Sequence, residues 1–172
     1  MKNSIPNTAM AAAVRDYCSL IDDCNKEDGK SYWLRRMAKL LPRLHLAVVS
    51  LEGANLIQTY DLPNDDLRCE LFMSLNQRLH QDTLLWSNLD RADARQSMCE
   101  QLADDFTDIY FDLKSGLELH DHQNTTLAMD NWYSSFYNHW GQHLVDAESW
   151  LHAVETRNYN TCKVAVEIFR TA

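Results

Sequence analysis

Apolar positions recur at three- and four-residue steps over most of the chain, the period of helices with one buried face. Met10, Ala13, Val14, Tyr17, Leu20, Ile21 and Cys24 line a first helix starting near Thr8, which Gly29 stops. Ser31 is placed to cap a second helix, whose stripe of Leu34, Met37, Leu41, Leu44, Val48 and Leu51 passes through Pro42. That proline has no N–H to give the Ala38 carbonyl, so a bend is predicted there. Turn-forming residues from Thr59 to Asp66 lead into a third helix carrying Leu67, Leu71, Phe72, Leu75 and Leu79. The period fails from Thr83 to Leu89, read as an ordered, partly buried connection, and Asp90 then caps a fourth helix.

The fourth helix is predicted over about 91–119 and the fifth over about 126–155, each roughly 40–45 Å long at 1.5 Å per residue. So short a connection between them forces an antiparallel αα-hairpin centred near His122. Beyond Asn158, Thr161–Arg170 fits a short helix through Cys162, Ala165, Ile168 and Phe169; Val164, Val166 and Ile168 also alternate as a strand would, and helix is preferred. The expected architecture is all-α: a single-domain antiparallel helical bundle over 1–172, of about five helices, with a long C-terminal αα-hairpin.

Composition agrees. Only 4 Gly and 3 Pro occur in 172 residues, too few turn-formers for a sandwich or barrel of many short strands. With 16 Lys+Arg against 25 Asp+Glu and a net charge of −9, nucleic acid is excluded as a partner on electrostatic grounds. Arg35, Arg36, Lys39 and Arg43 read as the solvated side of the second helix. Cys18, Cys24, Cys69, Cys99 and Cys162 are odd in number and form no C-x-x-C pair, which suggests reduced thiols in a cytoplasm that serve as small core or groove residues. No window reaches the roughly 18 apolar residues of a membrane span, and the N-terminal stretch is broken by Arg15 and Asp16.

One constellation has chemical potential. On a helical wheel of the fifth helix, His143 falls on the apolar stripe, His139 at its margin and Asp146 beside both, while His152 lies on the solvent side. On the fourth, Asp105, Asp108 and Asp112 line one edge of the buried face, with Asp104 towards solvent. Pairing about His122 sets His139 level with Asp105. Two histidines at i and i+4 can chelate a metal, and carboxylates from a neighbouring helix complete such sites inside bundles. The metal reading uses His139, His143, Asp105, Asp108, Asp112 and Asp146 to hold a divalent ion such as Zn, Mn or Fe. The alternative is an Asp–His hydrogen-bonded seam that satisfies buried polar groups and fixes helix register, and this is the preferred expectation; an acid–base site without metal is the third. His120 and His122 read as loop punctuation, and His45 and His80 as lone rim histidines. Gly116 and Gly141, inside the two long helices, suggest a close approach or a bound group that needs the space.

The segments Asp108-Ile-Tyr-Phe-Asp112-Leu-Lys114-Ser-Gly116-Leu and Trp132-Tyr-Ser-Ser-Phe136-Tyr-Asn-His139-Trp140-Gly141-Gln-His143, with His152 beyond, resemble a bacterial family of uncharacterised all-helical proteins, the domain-of-unknown-function family DUF5063. Leu-Leu-Pro-Arg-Leu at 40–44 and the irregular stretch around Trp86 match its order of features. The resemblance implies an all-helical fold and singles out Asp108, Asp112, His139 and His143 without giving them a role. No Gly-rich phosphate loop or exposed serine nucleophile is present. The leading functional expectation is therefore a non-enzymatic bundle acting through contacts with a protein partner or a second copy of itself; the rival is a metal-binding protein or metal-dependent enzyme.

Overall fold

The computed structural model describes residues 4–26, 30–52, 54–56, 65–81 and 92–171. Five helices account for nearly all of them: α1 (Ser4–Asp22), α2 (Lys30–Val49), α3 (Asp65–Gln81), α4 (Ala92–Asp121), and α5, which runs from Thr125–Ser135 through a π-helical turn at Phe136–Trp140 into Gly141–Thr171. No strand occurs among the described residues, and no helix there is long and apolar enough to cross a membrane. Gly29, the 59–64 turn, the 83–89 connection and Asp90 lie outside the described residues, as do the side chains of Ser31 and Cys162.

The stripes of α1 and α2 are buried as predicted, and α2 continues through Pro42 to Val49. They join Met98, Leu102, Phe106, Ile109 and Leu113 of α4 and Trp132, Trp140, Leu144 and Leu151 of α5 in one hydrophobic cluster. Buried polar tips find backbone acceptors. Tyr17 donates to the Phe106 carbonyl (2.9 Å), Trp33 to that of Leu20 (2.8 Å) and Trp132 to that of Leu113 (3.0 Å). Cys18, Cys24 and Cys99 are buried, whereas Cys69 is exposed, contrary to the reading of the thiols as core residues.

Three expectations are revised. The stripe of α3 begins at Leu71 rather than Leu67: Leu67 is exposed, Leu71 and Phe72 pack partly buried against the core, and Leu75, Arg78 and Leu79 are buried. The break near Asn158 is absent, and α5 continues as helix to Thr171, excluding the strand alternative for 161–170; after Gly141 no Gly or Pro is available to interrupt it. The hairpin turns at Gln123, not His122. Gln123 takes a left-handed conformation (φ 64°), its N–H donates to the His120 carbonyl (3.0 Å), and the Asn124 N–H donates to that of Leu119 (3.0 Å). This is a Schellman motif with glutamine in the seat usually held by glycine.

Candidate functional site: an Asp–His–Arg cluster between α3, α4 and α5

The local shape of α5 sets the site. Trp132 and Trp140 are both fully buried although eight residues apart. Eight residues in an unbroken α-helix would leave them about 80° out of phase; one turn of about 3.6 residues plus one π turn of about 4.4 brings them back into line. The π turn closes on Gly141, whose N–H bonds the Phe136 carbonyl. A Cβ at Gly141 would collide with that carbonyl and crowd the Phe136 ring, which explains the glycine in mid-helix. His139 lies within the π turn and His143 just beyond it, their ring centroids 5.1 Å apart.

Opposite them, α4 presents Asp105, Asp108 and Asp112. His143 Nδ1 donates to Asp105 Oδ1 (2.9 Å), and His139 Nδ1 donates to Asp112 Oδ2 (2.6 Å). His143 Nε2 lies 3.4 Å from Asp108 Oδ2. The pairing is therefore about one to two turns out of the register expected from a centre at His122: His143, rather than His139, faces Asp105. The displaced hairpin centre and the extra residue of the π turn both contribute.

Sequence reasoning missed Arg68 of α3. Its Nε donates to Asp108 Oδ1 (2.7 Å) and its Nη2 to Asp108 Oδ2 (2.9 Å) and Asp104 Oδ1 (2.8 Å). Asp104, assigned to solvent by the wheel, is thus half-exposed and ion-paired. A run of acids at 104, 105 and 108 calls for a counter-charge, and on a uniform wheel Arg68 falls within the α3 stripe of Leu71, Phe72, Leu75 and Leu79; those were the available signals. Asp146 takes no place in the cluster, since both its oxygens accept from Gln142 Nε2 at 3.0 Å.

Burial raises the Asp105 carboxyl above its ordinary range, outweighing the hydrogen bond from His143, and raises Asp112 in the same way against His139. His143 is also raised, chiefly by its bond to Asp105, with burial opposing. The hydrogen bond to Asp108, foremost, holds Arg68 firmly protonated. One oxygen of Asp105, Oδ2, is buried with no hydrogen-bond partner.

With each Nδ1 engaged by a carboxylate, each neutral imidazole keeps its Nε2 lone pair. Ligand atoms of Asp108, His139 and His143 lie within 4.8 Å of one another. The two histidines of the seam are thus also the histidines of this group. Tyr110 and Lys114, from the same sequence segment as Asp108 and Asp112, face α1: Tyr110 Oη donates to Asp22 Oδ1 (2.8 Å), and Lys114 approaches Asp22 Oδ2 (4.0 Å).

These features define an all-helical bundle with a polar cluster on one flank of its hairpin. The chain belongs to the DUF5063 family, a domain of unknown function, whose model matches residues 5–157. Its fold is similar to the crystal structure of protein BF1032 from Bacteroides fragilis, with a TM-score of 0.66 at 19% sequence identity, over 88% of this chain and 92% of that one. Comparison with curated proteins finds no match.

Proposed function

We propose that this protein binds a divalent transition metal ion, of the Zn, Mn or Fe class, through His139 Nε2, His143 Nε2 and a carboxylate oxygen of Asp108, leaving a coordination position open to water or a ligand. The observation that carries this reading is the orientation of both histidines by carboxylates at Nδ1, the arrangement that fixes the tautomer and basicity of metal-binding imidazoles. Spacing agrees with it. Ligands about 2.1 Å from a tetrahedral ion stand about 3.4 Å apart, and His143 Nε2 stands 3.4 Å from Asp108 Oδ2. Asp105 and Asp112 then act as orienting groups, and Arg68, which bonds both oxygens of Asp108, leaves that carboxylate only its remaining lone pairs for the ion. An ion with an open position can act as a Lewis acid or activate water. The reading as a bundle working only through protein contacts ranks below it, because among the described residues no comparable convergence of groups supports an interface.

The test is metal analysis and calorimetric titration of protein prepared without a histidine tag. Close to one equivalent of Zn, Mn or Fe is expected, with His139→Ala and His143→Ala each weakening affinity at least about tenfold and Asp105→Asn by about 10–100-fold as an orienting group. Equal affinity in the wild type and the His139→Ala/His143→Ala double variant would overturn the proposal.

A further inference from the structure

Away from the metal set, α2 and α5 enclose a groove of about 580 Å³, within the size range of small-molecule sites. Its walls are apolar, with Leu41 and Leu151 buried at the floor and Leu46 and Val49 exposed along one edge, at 67% and 49% of their full surface. Its ionisable groups are two carboxylates and two imidazoles. Glu148, Glu155, His45 and His152 line it, and no lysine or arginine does. His152, prominent in the sequence but absent from the metal set, is placed here.

We propose that this groove is a second binding site, for a small amphiphilic organic cation: an ammonium or guanidinium group on an apolar body. Charge complementarity selects the cation. Glu148 Oε2 is hydrogen-bonded to His45 Nδ1 at 3.2 Å, whereas Oε1 is buried with no hydrogen-bond partner, so the carboxylate gains a donor by turning that oxygen into the groove. Pro42, also in the lining, has no N–H for the Ala38 carbonyl beside it. The groove therefore offers acceptors and negative charge at its polar positions and hydrocarbon elsewhere. An anion would meet two carboxylates, and a wholly apolar ligand would leave the Glu148 oxygen unsatisfied. The proposal shares no residue with the metal set and stands or falls without it.

The probes are 4-phenylbutylammonium, the uncharged 4-phenylbutanol and the anionic 4-phenylbutyrate, each titrated into the full chain and followed by calorimetry and by amide chemical shifts. The ammonium compound is expected to bind at least about tenfold more tightly than the alcohol, with the carboxylate weakest and the shifts confined to residues 38–49 and 148–155. In Glu148→Gln, which preserves shape, the preference for ammonium over alcohol should fall at least severalfold while alcohol binding persists. Glu155→Gln, at an exposed position, should reduce the preference severalfold and provides a second variant should Glu148→Gln not fold. Equal binding of alcohol and ammonium, shifts elsewhere, or an unchanged preference in both variants would overturn the proposal. So would a lysine-bearing amphipathic peptide that binds where the small ammonium compound does not.

Discussion

At Gly116 an added methyl group would occupy the space of the Trp132 indole, whose N–H bonds the Leu113 carbonyl three residues earlier on the same helix. The indole is fully buried and has nowhere to retreat without breaking that bond. Gly116→Ala is therefore expected to cost about 2–3 kcal/mol despite alanine's better helix propensity, read as a lower urea midpoint at unchanged slope. A neutral or stabilising result would mean that the indole does not lie on α4. The sequence indicated that Gly116 needed explanation but not what approached it, because the neighbour comes from the next helix. Arg68 was hidden for the same reason. Its role depends on α3 lying beside α4, which no period along α3 encodes.

The stripes of α1 and α2 were legible because each helix buries one continuous face, and a 3.6-residue period reports that directly. Register between helices was less so. The Schellman turn places Gln123 in a left-handed conformation that costs an L-residue about 1–2 kcal/mol, part of which glycine recovers despite its greater freedom when unfolded. Gln123→Gly is accordingly expected to stabilise the fold by about 0.5–1 kcal/mol, measurable as a rise in melting temperature, with the site unchanged. A loss of stability would show that the glutamine side chain contributes contacts outweighing its backbone strain. The π turn escaped a uniform wheel because 100° per residue assumes the regularity that the turn breaks.

Across the molecule, protonation of the cluster links site and stability. With a chelator present, the folded state holds the His143 proton more tightly than the unfolded chain does, since the imidazole is raised by Asp105. That contribution is complete below the unfolded histidine value of about 6.5 and disappears as pH rises through the folded one. The raised Asp105 and Asp112 carboxyls act with the same sign at lower pH, from about 3.9 upwards. The melting temperature of the metal-free chain should therefore fall from pH 6 to 8, and His143→Gln should flatten that fall; a flat wild-type profile would contradict the Asp105–His143 pairing. The overall architecture and the residues of the seam were legible in the sequence. The choice among the seam, a metal and a surface partner was not, since it depends on which imidazole nitrogen meets which oxygen, and a sequence does not distinguish Nδ1 from Nε2.

The π turn gives α5 one residue of slack. Beneath it, the indoles of Trp132 and Trp140 stay seated in the core; above it, His139 is carried by the widened loop of chain itself. Core register and site geometry can therefore be adjusted separately along one continuous helix. Removing a single residue between the two tryptophans would convert the segment to ordinary α-helix and shift His139 relative to Asp112, while the helix on either side kept its own pattern of burial.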